Sequence, residues 1–140
     1  MSGLHPLHAL LPHREPMLLL ESVDSVSAQG GTGWVRLDPR AWHADATGRT
    51  PAWFGLEFMA QTIAACRGQY LLQTGGVPQG GYLVGTRRYR CASPAFEPSA
   101  LLEVKVRLCE EDPSGLCAFQ CEILHLGQSV AEATLKVMIH

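Results

Sequence analysis

At 140 residues, with a formal net charge of −2, 46% hydrophobic and 17% charged residues, the chain can bury a core and is too apolar to be disordered. That charge balance excludes the strongly basic footprint of a nucleic-acid binder. Without a signal-like start or an apolar run of spanning length, the expectation is one cytoplasmic domain over residues 1–140, with no membrane partner.

In chain order, a short helical turn is expected from Leu4 to Leu11, ended by Pro12. Met17 to Ala28 begins apolar and then alternates, so it should be a strand that starts buried. Gly30-Gly31 reads as a turn, and Thr32 to Leu37 as the returning strand of a hairpin. Asp38 to Thr50 is polar and rich in turn residues, a loop carrying His43 toward the next element.

From Ala52 to Gln73 the only charged residues are Glu57 and Arg67. Leu56, Met59, Ala60, Ile63 and Ala64 follow a helix period, Pro51 suits a first turn, and Gly75-Gly76 stops the run. A helix this apolar on nearly every side should be buried. Glu57 is then the anomaly, since a carboxylate in a buried helix is costly unless paired or used.

After a Gly- and Pro-rich link from Thr74 to Gly81, strands are expected at Tyr82–Cys91, Leu101–Cys109, Leu116–Leu126 and Ser129–Ile139. Asp112 to Gly115 forms one turn and Gly127-Gln128 another. A hairpin, one long helix and a meander make an α+β domain with an antiparallel sheet wrapped around the helix.

His43 lies fourteen residues before Glu57, Pro51 lies six before it, and Met59-Ala60-Gln61 follows. This spacing resembles that of the FabZ-type 3-hydroxyacyl-acyl carrier protein dehydratases of the hotdog fold. Two further segments, Leu11-Pro-His-Arg-Glu-Pro-Met-Leu-Leu-Leu20 and Tyr82-Leu-Val-Gly-Thr86, resemble that family's N-terminal segment and pocket strand. The run Pro51-Ala-Trp-Phe-Gly-Leu-Glu-Phe-Met-Ala-Gln61 looks closer to the dehydratase-like proteins of aryl polyene pathways than to housekeeping fatty-acid enzymes. The chain departs from the family at Ala52, where the family has Gly, and at Trp42-His43-Ala44-Asp45, where it has Gly-His-Phe-Pro.

The resemblance implies a hotdog fold and loss of water from a 3-hydroxyacyl chain on acyl carrier protein, giving a trans-2-enoyl thioester. It places His43 as base and Glu57 as acid, contributed by different protomers of a dimer. The chemistry suits the residue types: neutral imidazole can take a proton near pH 7, and a carboxyl raised by burial can deliver one. By the same match the Ala52 N–H, at a helix start with free amides, polarises the thioester carbonyl. Gly85 belongs to the matching pocket strand. Gln61 shares the face of Glu57, where a hydrogen-bonding and a purely structural role are equally open. In isolation His43 reads as an exposed or capping side chain, and Glu57 as a helix-start charge favoured by the macrodipole.

The assembly implied is a homodimer, a higher homo-oligomer or a heterodimer with a second hotdog protein. Two other functions compete: a hotdog acyl thioesterase, and a catalytically silent hotdog partner subunit. Nine Arg stand against Lys105 and Lys136, and Arg87, Arg88 and Arg90 could meet an acidic carrier or be a solvated strand end. The remaining histidines form no metal-ligand spacing and no Gly-rich loop precedes a helix, so no metal or cofactor is expected. The five cysteines lack CxxC pairing and read as reduced thiols.

Overall fold

The computed structural model describes residues 5–10, 17–76 and 81–139. Its elements run α1 (Leu7–Leu10), β1 (Ser22–Ser27), β2 (Gly30–Arg36), β3 (Thr50–Pro51), α2 (Phe54–Gln73), β4 (Gly81–Cys91), β5 (Ala95–Phe96), β6 (Leu101–Glu111), β7 (Leu116–His125) and β8 (Gln128–Ile139). Six strands form one antiparallel sheet in the order β1-β2-β6-β7-β8-β4, and β3 pairs with β5. Both expected ends of the first turn, Leu4 and Leu11, and residues 11–16 of the N-terminal segment lie outside the described residues, as does part of the link after α2.

The alternation expected of the sheet is present. Leu102, Val104 and Val106 of β6 are buried, as are Cys117, Phe119, Cys121 and Ile123 of β7 and Ala131, Ala133, Leu135 and Val137 of β8. These side chains share one core with Phe58, Met59, Ile63, Ala65 and Cys66 of α2. Truncating Phe58 or Met59 to Ala would cost about 2–5 kcal/mol on the usual scale for core cavities. The helix ends as its glycines suggest: Gly75 takes φ 86°, and Gly76 N–H donates to Leu71 O at 2.7 Å.

Several boundaries shift from expectation, and three of them bear on the site. The Met17–Ala28 strand is ordered as a strand only from Ser22. Pro51 belongs to a two-residue strand, Thr50↔Phe96 and Pro51↔Ala95, and the helix begins at Phe54 with Trp53 as its N-cap. Gly30-Gly31 is not the hairpin turn, which falls at 28–29; both glycines lie inside β2. Gly30, at φ 147°, abuts the β6 backbone, where a Cβ would strike Val106 O, and a Cβ on Gly31 would come within 2.8 Å of Cys66 Sγ on α2. A Cβ on Gly33 would come within 2.3 Å of Thr62 Oγ1, so glycine lets α2 sit directly on the strand.

Candidate active site

His43 sits in the loop between β2 and β3, which turn chemistry holds in shape. The Asp38 carboxylate accepts Arg40 N–H at 2.8 Å, and Ala41 N–H and Ala44 N–H close successive turns on Asp38 O and Ala41 O, each at 3.0 Å. Asp45 Oδ1 then accepts Thr47 N–H, Thr47 Oγ1–H and Arg49 N–H at 2.8, 2.6 and 3.1 Å. These bonds hold the Asp45 carboxyl below its ordinary range, the Thr47 hydroxyl contributing most. The loop thereby delivers the chain to Thr50, which is buried and paired with Phe96.

The His43 ring is half-buried, with Nδ1 3.2 Å from Thr50 Oγ1. The Trp42 ring meets it edge-on and the Phe54 ring is tilted against it, both at 5.5 Å between centroids. Burial lowers its pKa below the ordinary value of 6.5, and the charge of Asp38 opposes that fall in part. A neutral imidazole is therefore favoured at pH 7. A cavity of about 270 Å³ adjoins the ring, lined among others by Leu18, Leu20, Val35, Asp38 and Trp42.

Glu57 lies in the first turn of α2 and is half-buried, less enclosed than its apolar helix suggested. Gln61 Nε2–H₂ donates to Glu57 Oε1 at 3.0 Å and to Met17 O at 2.8 Å, while Gln61 Oε1 accepts Leu19 N–H at 2.9 Å. Gln61 is thus both a partner of Glu57 and a structural clamp, fully buried and fixing the segment that forms one wall of the cavity beside His43. The two roles left open for it by the sequence coexist.

The free amide expected at Ala52 is not found: its N–H donates to Pro94 O at 2.9 Å, extending the β3–β5 pair. Its carbonyl accepts the Tyr89 hydroxyl, tying the helix start to β4. Tyr89 is also why residue 55 is glycine, since a Cβ there would strike the tyrosine oxygen. Among the described residues, the N–H groups of Trp53 and Phe54 meet no backbone acceptor. Gly85 is half-buried in β4 opposite Lys136, just after an irregularity in register, and a Cβ there would meet nothing within 4 Å.

The structure therefore brings Glu57 to Gln61, and Ala52 to Pro94 and Tyr89, and cradles His43 between Trp42 and Phe54. Thr50, Tyr89 and the aromatic cradle went unnoticed in the sequence. The cradle had a signal, in that Trp42 and Trp53 flank the His43 and Glu57 motifs and remain 53% and 67% exposed. Among the described residues no group of His, Cys, Asp and Glu could hold a metal, and no helix is long and apolar enough to cross a membrane.

A six-stranded antiparallel sheet against one long helix, with a His loop before the helix and a Glu in its first turn, defines a hotdog-fold protein. Residues 5–140 match the model of the ApeP-like family, ApeP dehydratase, and the chain belongs to that family. Among solved structures it is similar to the dehydratase heterocomplex ApeI:P from Xenorhabdus doucetiae, with a TM-score of 0.89 and 28% identity over 97% of this chain and 91% of that one. Two more distant likenesses share the fold. One is a hypothetical thioesterase with coenzyme A from Streptococcus pneumoniae TIGR4, with TM-score 0.66 and 11% identity over 85% and 84% of the two chains. The other is a mutant of the phenylacetic acid degradation protein PaaI from Thermus thermophilus, with TM-score 0.61 and 16% identity over 83% and 90%. No curated protein matches the chain.

Proposed function

We propose that this hotdog dehydratase removes water from 3-hydroxyacyl chains carried as thioesters on acyl carrier protein, in the cytoplasm, working as a single domain. His43 takes the C2 proton and Glu57 protonates the departing hydroxyl, so a trans-2-enoyl thioester and water leave together. The observation that carries this reading is the state of His43: a half-buried ring beside a cavity, held toward its neutral form. Membership of the ApeP-like dehydratases supports the reaction class.

The bond from Gln61 aims one oxygen of Glu57. Because the Ala52 amide is engaged by Pro94, the thioester carbonyl falls to Trp53 and Phe54 N–H at the positive end of α2, where enolate charge develops. The pocket is completed by a second hotdog chain, the arrangement supported by the heterocomplex to which this chain is similar. Strand β4, one of the two sheet edges, offers itself for that pairing. Arg87 and Arg88, both exposed on that strand, receive the acidic carrier.

The test is water loss from a carrier-bound 3-hydroxyacyl chain, followed with this protein alone and with its hotdog partner added. Enoyl formation that requires this chain supports the proposal. Thioester hydrolysis instead of dehydration, or full activity of the partner without this chain, would overturn it.

A further inference from the structure

We infer that Thr50 is a positioning residue for His43, its hydroxyl accepting the Nδ1 proton so that the electron pair used on substrate stays on Nε2. The inference rests on His43 acting as the base and assigns the neighbour that makes it one.

Three observations carry it. Thr50 is 1% exposed, and His43 Nδ1 is the hydrogen-bonding partner of its hydroxyl at 3.2 Å. Its backbone is pinned by the pairing of Thr50 with Phe96, reinforced two residues on by Ala52 N–H donating to Pro94 O at 2.9 Å. Being β-branched, it has a stiff χ1, so the oxygen is held in place before any substrate arrives. Finally, the Trp42 and Phe54 rings confine the imidazole from two sides at 5.5 Å but cannot tell nitrogen from carbon at its edge. The hydroxyl can. Rotating the imidazole half a turn would exchange Nδ1 for a C–H and lose the bond.

The tautomer follows from the role. A base acting through Nε2 needs its other nitrogen protonated, and the partner of that N–H then fixes both ring orientation and proton position. Free imidazole side chains in water favour the opposite tautomer, with the proton on Nε2. A hydroxyl can donate as well as accept, and the role inferred for Thr50 is specifically to accept from Nδ1, from a neutral oxygen that adds no charge to the pocket.

The experiment labels the histidines of this chain with ¹⁵N in the assembled enzyme, and long-range ¹H–¹⁵N correlations at pH 8 read which nitrogen of His43 is protonated. The resonance is assigned by its loss in His43→Gln. Wild type and Thr50→Ser should show protonated Nδ1. Thr50→Val, which keeps the shape and the β-branch, should move the proton toward Nε2 and lower kcat by ~10-fold or more, as misplaced catalytic groups do, with KM nearly unchanged. Thr50→Ser should restore kcat. Protonated Nε2 in wild type, or the same His43 tautomer in Thr50→Val as in wild type, would overturn the inference. Failure of the underlying reading looks different: His43→Gln would then retain dehydration whatever the tautomer in Thr50→Val.

Discussion

Gln61 donates from one nitrogen to both Glu57 Oε1 and Met17 O, at 3.0 and 2.8 Å, so the carboxylate and the segment 17–19 share a single anchor. Replacing Gln61 by Leu would remove the partner of Leu19 N–H and Met17 O, both part-buried, at roughly 1 kcal/mol for each hydrogen bond lost. We expect the melting temperature to fall by several degrees, and Gln61→Glu to be no better, because it sets a second carboxylate one turn from Glu57. Thermal unfolding checks this, and an unchanged midpoint would remove the clamp.

The proposed acid and base give the largest expected effect. His43→Ala and Glu57→Gln should each lower dehydration by ~10²–10⁴-fold, the usual scale for general acid–base catalysis. Neither side chain belongs to the buried core, so the fold should persist. The double mutant should lose far less than the product of the two, since both serve one transition state. Wild-type-like turnover by His43→Ala would sink the mechanism.

Burial lowers the His43 pKa, so near that value the native state binds fewer protons than the unfolded chain. Stability from this group therefore rises with pH between the native value and 6.5, and declines as pH falls through that window. The acidic limb of kcat/KM should lie below 6.5. Asp38→Asn removes the charge that opposes the shift and should move the limb to still lower pH. Rate profiles of the two proteins decide; a limb displaced upward contradicts the assigned cause.

Arg87 and Arg88 are exposed on β4, with Arg88 at φ 55° where one extra residue interrupts the pairing with β8. Arg90 is different, facing Glu132 at 4.0 Å in an exposed pair worth little to stability. Arg87→Glu should weaken turnover of carrier-bound substrate, more so at low salt, and leave a short thioester mimic nearly untouched. Equal losses on both would give the arginine a role in the fold.

Periodic signals in the sequence were legible because they report burial. The α2 run and the alternation of Leu102, Val104 and Val106 appear where expected. Gly30-Gly31 reads as a turn because a turn and a close backbone approach ask for the same residue, and only the position of Val106 O beside Gly30 and of Cys66 beside Gly31 separates them. Strands β3 and β5 have two residues each, too few for any period. Their pairing is nonetheless what brings Pro94 near Ala52 and engages its amide. The candidate site was legible in His43, Glu57 and Gln61 as residue types. Thr50 was not, because an ordinary threonine in a polar loop carries no mark of the ring its hydroxyl will meet.

The close seat of α2 on β2 also makes the protein its own reporter of opening. A Cβ on Gly31 would lie 2.8 Å from Cys66 Sγ, and burial pushes that thiol up to about 12. Cys109, by contrast, is exposed. A thiol reagent in neutral solution should therefore modify Cys109 promptly and reach Cys66 only when the helix lifts from the strand. The slow labelling of Cys66, separated from the buried Cys117 and Cys121 by peptide mapping, times that excursion without any engineered site.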